Sequence, residues 1–222
     1  MNGLLLVNKP IGITSFDIIR TLRRASGVRK IGHAGTLDPM ASGLMLLLFG
    51  SACKQAQTLS GLDKRYAAHI TLGATSSTGD NEGDKLIVSA RKPSDSEVES
   101  ALAGFRGQIR QTPSMYSAIK INGQEAYKYA RAGQAIEMPS RQVMVYESSV
   151  VRYAYPIIEL NCRVSSGTYI RSLASDLGDA LNTGAYLSGL VRTEVGNYRL
   201  GQALALDEFN APVVIEQHLL DL

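Results

Sequence analysis

Gly32-His33-Ala34-Gly35-Thr36-Leu37-Asp38-Pro39-Met40-Ala41-Ser42-Gly43, running directly into Leu44-Met45-Leu46-Leu47-Leu48-Phe49, is the stretch whose reading decides the fold. The apolar run has the length of one strand and no polar alternation, which predicts a strand buried on both faces. The segment before it holds glycines at 32, 35 and 43, where backbone can approach a ligand closely. Asp38 is therefore expected in a loop beside the core. An aspartate before proline is ordinarily a turn residue, so the loop alone supports a turn as well as it supports chemistry.

Working outward, Leu4 to Val7 reads as a short buried strand, broken by the turn residues Asn8-Lys9-Pro10-Ile11-Gly12. Thr14 with Asp17 three residues on predicts a capped helix whose apolar stripe is Ile18, Ile19 and Leu22. Arg20, Arg23 and Arg24 point elsewhere and, with Arg29 and Lys30, form a run without an acidic residue, suited to solvent or to a polyanion. Downstream, Tyr66, Ala68, Ile70 and Leu72 alternate with Ala67, His69 and Thr71 as a strand beginning at Tyr66. Residues 75–84 read as a polar loop, and Ser94 with Glu97 caps a helix in which Val98, Ala101, Leu102 and Phe105 share a face.

Residues 111–141 lack a clean period and suggest a mobile, partly helical insertion. Val143 to Val151 and Ile157 to Val164 predict a strand hairpin. Ile170, Leu173, Ala174, Leu177 and Leu181 fall at helical spacing, with Arg171 at the edge of the stripe. Strands and helices interleave without doubly wound regularity. The expectation is one α+β domain over residues 1–222, built on a mixed, largely antiparallel sheet.

A chain of 222 residues, 45% hydrophobic, can bury a substantial single core, while a net charge of only +3 excludes neither an RNA partner nor a small molecule. Cys53 and Cys162 form no C-x-x-C pair, which fits a reduced cytoplasm. No apolar stretch has signal-peptide or membrane-spanning form, so a soluble cytoplasmic protein is expected. Walker, dinucleotide-binding and nucleophile-elbow patterns are missing. His33, His69 and His218 show no ligand spacing, so no metal is expected.

The glycine-rich segment from Gly32 to Gly43 resembles the signature of the TruB-type tRNA pseudouridine synthases. Four further segments match in the same order: Asn8-Lys9-Pro10-Ile11-Gly12-Ile13-Thr14-Ser15, Lys64-Arg65-Tyr66, Pro113-Ser114-Met115-Tyr116-Ser117-Ala118-Ile119-Lys120, and Gly167-Thr168-Tyr169-Ile170-Arg171-Ser172-Leu173. The resemblance runs from Leu5 to about Phe209. It implies the pseudouridine synthase fold, a central sheet flanked by helices and RNA-binding loops, and isomerisation of a flipped-out uridine, uridine 55 of the tRNA T-loop, without a cofactor. In the family's pattern Asp38 is the nucleophile, Arg171 keeps its carboxylate ionised, and Tyr66 stacks on the uracil. His33 fills the vacated base stack, Tyr169 and Leu190 line the uracil pocket, and residues 113–141 clamp the RNA.

Lys9, Arg20, Arg23, Arg24, Arg29 and Lys30 are the candidate contacts to the RNA backbone, which would position the substrate without reading its sequence. Attack of the carboxylate at C6 of uracil and action at the ribose through a glycal-like intermediate both remain open. Bacterial members continue into a small C-terminal domain of the PUA type, whereas this sequence stops at Leu222; a smaller tRNA footprint is the corresponding expectation. No membrane and no obligatory protein partner is expected. Rival readings are a related synthase acting on another RNA with a guide and protein partners, and an RNA-folding module whose catalysis is incidental or lost. The joint presence of Asp38, Tyr66 and Arg171 favours catalysis.

Overall fold

The structure, a computed structural model, describes residues 1–117, 119–121, 123–134 and 136–222. Ala118, Asn122 and Ala135, all within the segment expected to clamp RNA, lie outside the described residues. The elements in chain order are β1 (Gly3–Lys9), α1 (Ser15–Ser26), β2 (Ile31–His33), β3 (Ser42–Phe49), α2 (Ala56–Ser60), β4 (Lys64–Leu72), β5 (Ala74–Ser76), β6 (Lys85–Ile87), α3 (Asp95–Ala103), β7 (Gly107–Gln111), β8 (Lys120–Ile121), β9 (Gln124–Glu125) and α4 (Ala126–Arg131). They continue with β10 (Arg141–Ala154), β11 (Ile157–Val164), α5 (Ile170–Ala180), β12 (Ala185–Val195), β13 (Tyr198–Arg199), β14 (Leu204–Ala205) and α6 (Pro212–Gln217). The chain divides into two compact units, Met1–Ala67 with Leu190–Leu222, and Ala68–Gly189.

In the first unit the strand order is β14-β1-β3-β12-β4, with β2 also on β3 and β13 on β12. β3 is the apolar run of the sequence reading, and Leu44 to Phe49 are all fully buried, as a strand covered on both faces requires. It is antiparallel to β1, from Gly3↔Phe49 to Lys9↔Gly43, and parallel to β12 through Val191↔Ser42 and Arg192↔Gly43. The approach at Gly43 admits only glycine. Its φ is +105°, and a Cβ there would meet the Arg192 carbonyl oxygen at 2.3 Å. α1 forms as its spacing predicts: Thr14 and Asp17 make a reciprocal capping box, Ile18, Ile19 and Leu22 face the core, and left-handed Gly27 ends it.

In the second unit the order is β12-β4-β11-β10-β7. β10 and β11 form the expected antiparallel hairpin, and β11 buries Ile158, Leu160, Cys162 and Val164 on one face. α3 begins at the Ser94–Glu97 capping box and buries Val98 and Leu102, and it packs against β10 and α5. α5 buries Ile170, Leu173, Ala174 and Leu177. These elements together are α+β.

Three expectations need adjusting. β4 starts at Lys64 rather than Tyr66, because the Lys64 ammonium is satisfied by the carbonyls of Ser60 and Leu62 at 2.5 and 2.6 Å, so a lysine can begin the strand inside the core. The polar stretch 75–84 is not wholly a loop: Thr75 and Ser76 belong to β5, which pairs with β6 just beyond the stretch. β12 was not anticipated, because its burial does not alternate with period 2 and the strand signal is lost. Among the described residues no helix is long and apolar enough to cross a membrane.

Candidate active site

Asp38 lies half-buried between β2 and β3, in a segment whose backbone groups are individually held. The Ser15 hydroxyl donates to the Leu37 carbonyl at 3.0 Å and accepts from the Leu37 N–H at 2.9 Å. The Pro39 carbonyl accepts from Gly12 N–H at 2.8 Å and from Lys9 Nζ at 3.3 Å, and Lys9 Nζ also donates to Ala41 O at 2.6 Å and Pro10 O at 2.9 Å. The Asp38 carbonyl accepts from Ala41 N–H at 3.1 Å, closing the turn. Irregular backbone inside a protein needs such partners, since buried peptide groups without them are costly.

Lys9 must therefore be withdrawn from the RNA-backbone candidates. It is 0% exposed and its ammonium is spent on carbonyls of the Asp38 loop, so it cannot reach a phosphate. Its position among turn residues suggested a surface lysine. As the last residue of β1 it points inward instead.

Sheet order places further candidates of the first unit on β2 and β12, which flank β3, and on β4, one strand beyond β12. His33 ends β2, and Leu190 precedes Val191, the residue of β12 that pairs with Ser42 at the loop's exit. Tyr66 is half-buried on β4, where its neighbour Arg65 meets Glu194 of β12 at 3.3 Å. The His33 ring is half-buried, and its Nδ1 has no hydrogen-bond partner among the described residues. Burial, and then the Arg192 charge, hold its pKa below the ordinary value of 6.5. The ring is thus neutral at pH 7.

A linked stability effect follows. The unfolded chain protonates this imidazole near pH 6.5 and the folded chain only at lower pH, so stability present above that value is lost as pH falls. Between pH 7.5 and 5.5, His33→Gln should lose less stability in urea titrations than the wild type. Equal losses would remove His33 from this linkage.

In the second unit Arg171 occupies the first turn of α5. The structure corrects its expected place at the edge of the stripe: the side chain is 5% exposed and paired with Asp80, whose side chain is 3% exposed, at 3.2 Å. Burial is tolerable because the guanidinium has further acceptors. Nη1 also donates to the Thr78 carbonyl at 3.2 Å and Nη2 to the Tyr116 carbonyl at 2.8 Å. The other Asp80 oxygen accepts from the Thr78 hydroxyl and from Glu82 N–H at 3.0 Å. The Leu187 N–H of β12 donates to the Gly79 carbonyl at 3.1 Å, which anchors the Asp80 loop.

Tyr169 is the N-cap of α5. Its backbone N–H donates to Gln111 Oε1 at 3.0 Å and its carbonyl accepts from Gln111 Nε2 at 3.2 Å, while the Arg141 guanidinium lies 4.7 Å from its ring centroid. The ring is held from the backbone and from one face. Arg20, Arg23, Arg24, Arg29 and Lys30 are exposed in the first unit, with Arg20 paired to Asp17. Arg20 and Arg23 lie 6.0 and 5.8 Å from the ring centroid of exposed Phe16. This face is open to a polyanion.

Sequence reasoning missed Ser15, Asp80 and Arg192. Ser15 gave no signal beyond starting a helix, and Asp80 is one of several polar residues in Ser76-Ser77-Thr78-Gly79-Asp80-Asn81-Glu82-Gly83-Asp84. Arg192 sits in a strand that was itself unrecognised. Among the described residues no group of three or more His, Cys, Asp or Glu side chains is placed to hold a metal ion.

Residues 23–170 match the family described as TruB family pseudouridylate synthase (N terminal domain). The chain is 43% identical to the tRNA pseudouridine synthase B of Opitutus terrae, over 95% of this chain and 88% of that protein. It is 44% identical to that of Burkholderia pseudomallei, over 95% of this chain and 70% of the relative. Among solved structures, a chain of a Cbf5-Nop10-Gar1 complex matches with a TM-score of 0.74 at 26% identity, over 93% of this chain and 53% of that one. A chain of the archaeal box H/ACA sRNP Nop10-Cbf5 complex matches at 0.72 and 21% identity, over 98% of this chain and 58% of that one, a likeness of fold. This chain spans little more than half of either solved chain.

Proposed function

Because the chain belongs to the TruB family of pseudouridylate synthases, we propose that it converts uridine to pseudouridine in tRNA, at uridine 55 of the T-loop, with Asp38 as the nucleophile. The N1 to C1′ bond breaks, the uracil turns, C5 joins C1′, and the C5 proton leaves while N1, freed of the sugar, takes up one. Product and substrate have the same atoms and oxidation level, so this chemistry draws on no cofactor. Attack at C6 and action at the ribose both need an ionised carboxylate held still while the base moves. The observation that carries the reading is the Asp38 loop, whose backbone is pinned on both sides of the aspartate by Ser15, Gly12 and Lys9.

The remaining roles follow the chemistry of the side chains. Tyr66 stacks on the extruded uracil, Tyr169 and Leu190 line its pocket, and Arg171 keeps the nucleophile ionised. His33, neutral at pH 7, fills the gap left in the base stack; flipping enzymes must offset the lost stacking. Arg20, Arg23, Arg24, Arg29 and Lys30 contact phosphates of the T-arm, and residues 113–141 close over it.

A T-arm stem-loop alone should therefore be a substrate. Incubated with the purified protein, it is expected to gain pseudouridine at the position equivalent to 55, and a stem-loop with cytidine there should gain none. A protein that modifies neither the stem-loop nor whole tRNA without added guide or protein partners would contradict the proposal.

A further inference from the structure

Arg192 is 1% exposed, and its guanidinium donates only to backbone carbonyls among the described residues. Nε reaches Leu44 O at 2.8 Å, Nη1 reaches Thr36 O at 3.3 Å and Nη2 reaches Gly35 O at 3.1 Å. All three acceptors flank Asp38. Burying a guanidinium without a carboxylate is costly, and an apolar side chain of similar volume would serve stability at least as well. An apolar residue could not hold three carbonyls of irregular backbone, which a planar five-donor fork does. Two glycines with positive φ lie against it. A Cβ at Gly35, where φ is +107°, would lie 3.4 Å from Nη1, and Gly43 lets the Arg192 backbone lie against the loop's exit.

The grips are complementary. Arg192 fixes Gly35, Thr36 and Leu44, Ser15 fixes Leu37, and Lys9 fixes Pro39 and Ala41. Asp38 stands between them. The Arg192 charge is also felt around the loop, where it disfavours protonation of His33 and of Lys64, the latter lowered to about 8 by burial first and by Arg192 second. The same field favours the anionic form of a carboxylate.

We propose that Arg192 is a positioning residue for the isomerisation: it holds the Gly35–Leu44 segment so that the Asp38 carboxylate keeps its attack geometry, without itself touching RNA. The inference rests on Asp38 being the nucleophile. Arg192→Lys keeps the charge and loses the fork, and Arg192→Ala loses both. Each would be assayed for tRNA affinity, thermal unfolding and single-turnover rate at saturating protein.

Arg192→Lys is expected to fold, to bind tRNA within about threefold of wild type, and to react about 10- to 100-fold more slowly, since displacement of a reacting group by about 1 Å costs rates of that order. Guanidinium at millimolar concentration should partly restore the Arg192→Ala rate, and equimolar sodium chloride should not. A folded Arg192→Lys protein reacting within twofold of wild type would overturn the proposal. So would a loss confined to tRNA affinity. A wild-type protein inert on tRNA would instead overturn the function, so the two failures are distinct.

Discussion

Asp38→Asn is expected to lower the single-turnover rate of pseudouridine formation by at least about 10³-fold, on the order of 4 kcal/mol in the barrier. Asparagine keeps the size and planarity of the side chain but cannot form the ester-like bond or release the base through a carboxylate leaving group. The loop should survive the change, because its described anchors are backbone groups held by Ser15, Lys9, Gly12 and Arg192. Unfolding temperature and tRNA affinity should therefore stay close to wild type. Loss of activity together with loss of fold would make Asp38 structural.

Arg171→Met is expected to be the most damaging change in the second unit, for two separable reasons. It strands the buried Asp80 carboxylate, 3.2 Å from the missing guanidinium, and breaking one side of such a pair costs about 3–5 kcal/mol. It also removes the cation proposed to balance Asp38. The double variant Arg171→Met with Asp80→Asn leaves no uncompensated charge and should recover most of the stability, because removing a buried pair entirely is often nearly neutral. Its activity should stay lost by at least about 10²-fold. Recovery of activity along with stability would reduce Arg171 to a structural role.

Much of the fold was legible because each element carried its own local signal. β3 announced itself by an uninterrupted apolar run, α1 and α3 by capping boxes, and β11 by period-2 burial of Ile158, Leu160, Cys162 and Val164. β12 was not legible: Ala185–Val195 mixes glycine, arginine, threonine and glutamate, and its pairing with β3 is a tertiary fact. The candidate site divides the same way. Asp38, Tyr66 and Arg171 were singled out because they stand in motifs. Arg192, Asp80 and Ser15 act by contacts with residues 156, 91 and 22 positions away, a kind of signal that no local pattern contains. Lys9 shows the converse error. A lysine reads as surface until its carbonyl partners are seen.

The isomerisation at Asp38 is tested most directly by incubating saturating wild-type protein and Asp38→Asn, side by side, with unmodified tRNA and mapping pseudouridine at single-nucleotide resolution over a time course. The expected result is one new pseudouridine, at position 55, formed by the wild type and absent with Asp38→Asn. Formation at that position by both proteins at the same rate would contradict Asp38 as the nucleophile, and no pseudouridine with the wild type would contradict the proposed function as a whole.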